Sequence, residues 1–234
     1  MRTKNKIAEQ ITDREKHRQS LKLGRRSEPN LERKIPSRFE KPTILIVCEG
    51  ENTEKSYFDQ FRLSSATIRS IGEGYNTVSL VNRAAQLSLE GTYDQVWCVF
   101  DKDDFPDLAF NGAIKSAEAQ NFGVAYSNQA FEYWILLHFD DHQGGGMHRK
   151  TYNKRLNQLL KPFKVTYDGN GSKVITEEIF DLLTGVDLKS QTGRTKLAID
   201  RAKRNYSLLQ HINPAKEESS TTVFKLVEEL LKYI

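Results

Sequence analysis

"QVWCVFDKDDF" (residues 95–105) joins a short apolar run to three carboxylates, and this junction decides how the fold is interpreted. The apolar run Val96–Phe100 has the length and composition of a strand that is buried on both faces. It ends at Asp101, and Asp103 and Asp104 follow closely. Carboxylates this close together repel one another and raise each other's pKa values. The sequence therefore predicts a positive partner among them.

A strand followed by a helix recurs along residues 42–140, where short apolar runs alternate with amphipathic segments. The predicted strands are 43–50, 66–74, 95–101 and 122–128, and the predicted helices are 52–61, 76–90, 107–121 and 130–139. Such alternation predicts parallel strands that are joined by right-handed crossovers. Helical patterns then dominate, at 150–161, 176–184, 194–211 and 221–234. The predicted fold class is α/β, a parallel sheet flanked by helices with a mainly helical C-terminal extension.

Three regions are predicted along the chain, and the first differs from the rest in its charge. Residues 1–41 carry 13 Lys or Arg and 6 Asp or Glu, whereas the remainder carries 22 and 25, although the whole chain has a net charge of +4. We interpret 1–41 as a basic, mobile arm, which is either a solvated tail or a phosphate-binding segment. Residues 42–140 form the α/β core. Residues 141–234 form a helical region packed on that core, after a flexible link at 142–148.

Several protein classes are excluded by composition. The sequence has no apolar stretch of the length that a membrane helix needs, so no membrane partner is expected. No apolar segment follows the basic N-terminus as it would in a secretory signal. The two cysteines, Cys48 and Cys98, lie in apolar runs without C-x-x-C spacing. We therefore predict buried, reduced thiols in a cytoplasmic protein.

Two of the predicted strands end in acidic residues. Glu49, with Glu54 close behind, follows the first strand, and Asp101 and Asp103 follow the third. Functional groups of open parallel sheets gather beyond the carboxyl ends of the strands, so neighbouring strands would place these acids in one cleft. Oxygen ligands favour Mg²⁺ or Mn²⁺. In extended chain Asp101 and Asp103 point the same way and Lys102 points away.

An alternative without a metal remains open for the acidic loop. Asp-rich loops often form turns, and Asp103 and Asp104 can cap the helix that follows Pro106. A further acid, Glu132, begins the apolar helix at 130–139, where it can partner the helix dipole. His138 falls on another side of that helix and fits a core histidine.

Basic residues recur on the predicted helix 194–211. They are candidates for seating the backbone phosphates of a nucleic acid. The alternative is a solvated helix face whose long side chains cover apolar surface. The candidates are Arg194, Lys196, Arg201, Lys203 and Arg204.

Four segments in this order resemble the RloB-like family. They are "VCEGENTEKSYF" (47–58), "VFDKDDF" (99–105), "YSNQAFEYWILLHF" (126–139) and the closing "NPAKEESSTTVFKLVEELL" (213–231). The resemblance spans about residues 42–234 and leaves out the basic arm. RloB-like proteins are similar to Toprim domains, the metal-binding catalytic fold of topoisomerases, bacterial primases and overcoming-lysogenization-defect nucleases. The resemblance therefore implies a Toprim-like sheet.

The resemblance also implies roles for the acids. Glu49 matches the Toprim glutamate after the first strand, Asp101 and Asp103 match its D-x-D pair, and Glu54 matches a family T-E position. These four are the expected catalytic residues, with Glu49, Asp101 and Asp103 as ligands of Mg²⁺ or Mn²⁺. The residues with expected supporting roles are Asp104, Glu132 and His138.

The family further implies a function. Members lie beside an ATPase partner in bacterial restriction and phage-defence loci. We therefore expect a metal-dependent endonuclease, a phosphodiester hydrolase, that cleaves RNA or DNA as an abortive-infection effector controlled by an ATPase. A homo-oligomer is compatible with this expectation. One alternative is a non-catalytic, metal-binding interaction subunit of a defence complex. Another is an enzyme that transfers a phosphoryl or nucleotidyl group at the same metal site.

Overall fold

The computed structural model describes residues 12–20, 41–70 and 77–234. The chain divides into two units, Met1–Glu40 and Lys41–Ile234. In the first unit, residues 12–20 form helix α1 with exposed side chains, and the rest of the predicted basic arm lies outside the described residues. The predicted core and the predicted helical region both fall within the second unit.

The second unit alternates strands and helices in its first half and is mainly helical in its second half. Its strands are β1 (Ile44–Cys48), β2 (Ala66–Ser70), β3 (Gln95–Asp101), β4 (Gly123–Asn128), β5 (Val186–Asp187), β6 (Thr192–Gly193) and β7 (Ser220–Thr221). Its α-helices are α2 (Thr53–Asp59), α3 (Thr77–Leu89), α4 (Asp107–Ala119), α5 (Glu132–Leu137), α6 (Tyr152–Leu160), α7 (Glu177–Thr184), α8 (Arg194–Ser207) and α9 (Val223–Leu231).

Five strands form one sheet in the order β2-β1-β3-β4-β7. The first four are parallel, and β7 is antiparallel to β4. The predicted fold class is thus confirmed, and the architecture is consistent with a Toprim-like sheet. The predicted acidic cleft requires β1 and β3 to be neighbours. They pair directly, with Cys48 opposite Val99, so both strands end at the same edge.

Helices cover both faces of the sheet because β1 is apolar at every position. Ile44, Ile46 and Cys48 face one cluster, which also contains buried residues of α2 and of helices α5 to α9. Leu45 and Val47 face the other cluster, under α3 and α4. All five side chains of β1 are fully buried, as expected for a strand covered on both sides. In the described residues no helix is long and apolar enough to span a membrane.

Two short pairings were not predicted from the sequence. Residues 221–234 were expected to be one helix, but Ser220–Thr221 forms β7 and α9 begins at Val223. The pairing is supported by side chains, since Ser127 Oγ lies 3.1 Å from Thr221 Oγ1. Likewise β5 and β6 form a separate antiparallel pair.

The glycine-rich segment 142–148, predicted to be a flexible link, has no helix or strand and makes two hydrogen bonds with Ser219. The backbone N–H of Ser219 donates to the carbonyl of Gly144 at 2.9 Å, and its hydroxyl donates to the carbonyl of Gly145 at 3.0 Å. These bonds tie the segment to the residues just before β7. Cys48 and Cys98 are free and buried, as predicted.

Candidate functional site

An acidic cavity of about 260 Å³ lies at the edge of the sheet where β1 and β3 end. We call it the acidic cavity. Six carboxylates and two basic side chains line it. The charged lining residues are Glu49, Glu51, Glu54, Asp101, Asp103, Glu132, Arg149 and Lys173. The four residues expected to be catalytic are thus brought together, although they lie on two different strand ends and on α2.

The pairing of β1 with β3 places the first two carboxylates side by side. The backbone N–H of Glu49 donates to the carbonyl of Val99 at 2.9 Å, which continues the β1–β3 ladder by one residue. The N–H of Asp101 in turn lies 3.4 Å from Glu49 Oε2. Burial raises the pKa of Glu49 to about 7, with Asp103 adding to the effect. Glu49 can therefore hold a proton near neutral pH.

Asp101 is anchored through one oxygen and leaves the other without a partner. Its Oδ2 accepts a hydrogen bond from the backbone N–H of Phe131 at 2.9 Å. Its Oδ1 is buried and has no hydrogen-bond partner in the described part of the chain. Burial, with Glu54 and Asp103 nearby, raises the pKa of Asp101 well above its ordinary value. A buried carboxylate oxygen without a donor is costly unless a cation or a proton reaches it.

The chain turns sharply after Asp101, which corrects the prediction of extended backbone. Asp103 has φ 43°, in the left-handed region, and lies in a turn. Its carboxylate still lines the acidic cavity, where it forms an ion pair with Arg149. Burial raises the pKa of Asp103, and Arg149 opposes that rise. Lys102 points elsewhere, as predicted, and lies 3.3 Å from a carboxylate oxygen of Asp107.

Asp104 does not share this environment. Its side chain is exposed and lies outside the lining of the acidic cavity. The structure therefore does not place it in a supporting role. The capping alternative is also wrong, because α4 begins at Asp107 after Pro106 without a side-chain cap.

Glu54 is the most deeply buried carboxylate of the site, with 6% of its surface exposed. Burial, followed by the charges of Glu132 and Glu49, raises its pKa to about 7. Its carboxyl group packs directly on Gly50. A Cβ at Gly50 would lie 2.8 Å from Cδ and 2.9 Å from Oε1 of Glu54. The glycine thus leaves the space that this carboxylate occupies.

Glu132 joins the site from the first turn of α5. One of its oxygens accepts a hydrogen bond from the hydroxyl of Tyr167 at 2.8 Å. The same hydroxyl lies 3.1 Å from Thr53 Oγ1 on α2. The backbone of Tyr167 is held by the side-chain amide of Asn157, which accepts from its N–H and donates to its carbonyl. Tyr167 therefore connects α2, α5 and α6 at the wall of the acidic cavity.

His138 is a core residue, as its position on the helix predicts, and it does not have the location of the supporting role that the resemblance implies. It is 1% exposed and does not line the acidic cavity. Its Nδ1 lies 3.0 Å from the carbonyl of Trp134, one helical turn earlier. Burial lowers its pKa to about 4, so the ring is neutral at physiological pH. Asn128, the last residue of β4, donates from its side-chain amide to the carbonyl of Pro214.

The basic residues of α8 are engaged within the protein. Arg194 is 5% exposed, donates to the carbonyl of Leu182 and stacks near the rings of Phe139 and Phe163, so it is not available to a phosphate. The other four form ion pairs with carboxylates. These pairs are Lys196–Asp200, Arg201–Asp141, Lys203–Glu228 and Arg204–Asp141. Arg201 and Arg204 share Asp141, so these pairs offset only part of the positive charge, and none of the five residues lines the acidic cavity.

Two basic residues of the site were missed. Arg149 begins a short 3₁₀ turn, and Lys173 follows a glycine-rich turn that starts at Asp168. Neither segment shows a hydrophobic period that would place it. The available signals were local: "HRK" shortly after three glycines, and "DGNGSK" as a turn ending in a lysine.

The lining of the acidic cavity fits a divalent cation in its chemistry. The donors are oxygen atoms, which Mg²⁺ and Mn²⁺ prefer, and Asp101 Oδ1 is a buried oxygen without a partner in the described chain. Burial and mutual repulsion raise the pKa values of Glu49, Glu54 and Asp101, and a cation would reverse this. In the described residues, however, no group of three or more acidic, His or Cys side chains is spaced to hold a metal. The ion pair of Asp103 with Arg149 would therefore have to rearrange.

Of the comparisons with known proteins, only the one with protein families gives a match. The family model described as RloB-like protein matches residues 44–230, which include every residue of the acidic cavity. No curated protein and no solved structure matches the chain.

Proposed function

The chain belongs to the RloB-like family, and from this premise we propose that it is a Mg²⁺-dependent endonuclease that hydrolyses phosphodiester bonds of RNA or DNA. The observation that carries the proposal is the acidic cavity at the carboxyl ends of β1 and β3, where Asp101 Oδ1 is buried without a partner in the described chain. We further propose, from the family resemblance, that the protein acts in the cytoplasm as an anti-phage effector under the control of an ATPase partner. Assembly of several copies is compatible with this role.

In this proposal Glu49, Asp101 and Asp103 hold one or two Mg²⁺ or Mn²⁺ ions. When bound, such an ion polarises the scissile phosphate and lowers the pKa of an attacking water. Arg149, already beside Asp103, binds a non-bridging phosphate oxygen of the substrate. When Arg149 binds the phosphate it leaves Asp103, and the carboxylate of Asp103 is then free to act as a metal ligand.

Glu54 is suited to proton transfer. Burial is the largest cause of its raised pKa and persists beside a bound cation, so its carboxyl group can accept or donate a proton. It is held in place by Gly50 beside it and by the first turn of α2, to which it belongs. Glu132 is positioned by Tyr167 and raises the pKa of Glu54 through its charge. Glu132 is therefore a positioning residue in this mechanism.

The test is metal-dependent cleavage by the purified chain. Total RNA, plasmid and single-stranded DNA are incubated with Mg²⁺, Mn²⁺ or EDTA, with and without the ATPase partner. Asp101→Asn combined with Asp103→Asn should reduce cleavage at least about 100-fold, because both are proposed ligands. Asp104→Asn is the matched control, since Asp104 is exposed and outside the acidic cavity. Cleavage that survives the double substitution would show that the site is misassigned.

A non-catalytic interaction subunit is the second candidate. The observation that favours it is the pairing of Asp103 with Arg149, which shows that a basic side chain fits against the acids of this cavity. In this case the acids bind a structural ion or a basic surface of a partner, and the partner performs the chemistry. A complex that cleaves nucleic acid equally well with the wild-type chain and with the double Asn variant would support it.

A further inference from the structure

A second, basic cavity adjoins the acidic cavity. Its volume is about 180 Å³, and the two cavities share Glu132, Arg149 and Lys173 in their walls. We call it the basic cavity. Lys150 adds a third positive charge against the single carboxylate of Glu132. Polar groups complete the wall, from Tyr152, Asn153 and Asn170.

The lysines of the basic cavity form no close ion pair within the described part of the chain. Lys150 and Lys173 form no ion pair with a carboxylate in the residues that the structure describes, in contrast to the paired cations of α8. The third cation, Arg149, is paired with Asp103 at the border between the two cavities. Lys173 also lines the acidic cavity, where its charge opposes the rise that burial causes in the pKa of Asp103, so it is the excess of three basic side chains over Glu132 that attracts an anion to the basic cavity.

The neutral groups of this wall are ordered to receive a ligand. The Oδ1 of Asn153 accepts from the side-chain amide of Asn157 at 2.9 Å and from the N–H of Gly169 at 3.3 Å. Its Nδ2 is then the group it offers to a ligand. Tyr152 is 1% exposed, so its ring backs the wall, and its hydroxyl faces Ser219 rather than a ligand. The wall therefore presents donors, which are what phosphate oxygens require.

We propose that the basic cavity is a subsite for the backbone phosphate next to the one that is cleaved. This rests on the proposed function, because the acidic cavity defines where the scissile phosphate lies. The shared residues make the two cavities continuous, so a strand that places one phosphate at Asp101 and Asp103 reaches Lys150 and Lys173 with its neighbour. The substrate class is then a polynucleotide, because a mononucleotide ester would lack the second phosphate.

The test measures binding rather than cleavage. Fluorescence anisotropy of labelled RNA and DNA strands, each about 12 nucleotides long to match a short single-stranded site, is recorded in EDTA, so that hydrolysis does not interfere. Lys150→Gln combined with Lys173→Gln should weaken binding about tenfold, as expected when charge-assisted hydrogen bonds to one phosphate are removed. The slope of log affinity against log salt should also become shallower, by about 0.7 for each phosphate that the variant no longer neutralises. Lys150→Arg combined with Lys173→Arg should keep the affinity.

Lys154→Gln is the matched control. Lys154 is an exposed lysine on α6 that lines neither cavity, so its substitution removes a nearby positive charge while the wall stays intact. Equal effects of Lys154→Gln and the double Gln variant would overturn the subsite. So would failure of the wild-type chain to bind either strand. Binding that depends on both lysines without any metal-dependent cleavage would support the subsite and refute only the hydrolysis. The RNA and DNA arms show which backbone is preferred.

Discussion

Replacing the buried carboxylate of Glu54 by an amide should stabilise the protein at alkaline pH. In the unfolded chain this group ionises near its ordinary pKa of 4.5, whereas in the folded protein burial raises its pKa to about 7. Between these values the unfolded chain has lost a proton that the folded chain still holds. A rise in pH through this window therefore favours unfolding, and above about 7 the penalty is constant.

The magnitude follows from the two pKa values. A difference from 4.5 to about 7 corresponds to about 3 kcal/mol, at roughly 1.4 kcal/mol for each pKa unit. Glu54→Gln removes this penalty and keeps the shape of the side chain. The variant should therefore be about 3 kcal/mol more stable than the wild type at about pH 8, and the two should be equally stable at about pH 4.5 and below.

Urea unfolding followed by circular dichroism measures the difference. About 3 kcal/mol should move the midpoint at about pH 8 upward by about 1 M, given typical denaturant slopes. Glu51→Gln is the matched control, because Glu51 lines the same cavity but is exposed, and its midpoint should not move. The reasoning is refuted if the wild type and Glu54→Gln unfold at the same urea concentration at about pH 8, or if their gap persists unchanged at about pH 4.5.

Three further outcomes are expected. Gly50→Ala should displace the carboxylate of Glu54 and reduce metal-dependent cleavage at least about tenfold, with little change in melting temperature. Gly112→Ala is the control and should keep activity, because the space around Gly112 is open. As pH drops from about 6.5 to about 4, the wild type should lose about 3 kcal/mol of stability relative to His138→Gln in urea unfolding, because only the unfolded wild-type chain protonates His138 in this range; Glu54 acts in the opposite sense in both proteins and cancels in the difference. Arg194→Ala should lower the free energy of unfolding by about 2–3 kcal/mol without weakening nucleic-acid binding, because Arg194 is engaged with Leu182 and Phe163 inside the protein. Lys196→Ala, which removes an exposed ion pair, should leave the melting temperature unchanged. Weaker binding by Arg194→Ala in a well-folded protein would contradict the structural role of Arg194.

The main sheet was predictable because its signals are local. Each parallel strand is an apolar run bounded by turn residues, and each crossover helix has its own amphipathic period. The rule that functional groups gather at the carboxyl ends of such strands then brought Glu49 and Asp101 to one edge. The pairing of β1 with β3 confirms that step. The strands and helices needed no knowledge of long-range contacts, whereas the shared cleft depended on β1 and β3 being neighbours.

The remaining features depend on contacts between distant segments. Ser220–Thr221 is too short and too polar to be recognised as a strand, and only its pairing with β4 makes it one. Asp103 was expected in extended chain, but it has a positive φ and lies in a turn. In that turn its carboxylate forms an ion pair with Arg149, which is 46 residues away in the sequence. Arg149 and Lys173 reach the acidic cavity from segments without periodicity. The spacing of residues along a helix likewise does not predict that Arg194 is buried against the rings of Phe139 and Phe163.

The position of β7 has a consequence for synthesis on the ribosome. The strand that it covers, β4, precedes it by 94 residues, as measured from Ser127 to Thr221. At translation rates of about 5–20 residues per second, β4 waits about 5–20 s for its partner. During that time its outer edge exposes unpaired N–H and C=O groups, which can join another strand. Nascent chains on neighbouring ribosomes are therefore most open to wrong pairing in this interval, and a pause before Ser220 would lengthen it.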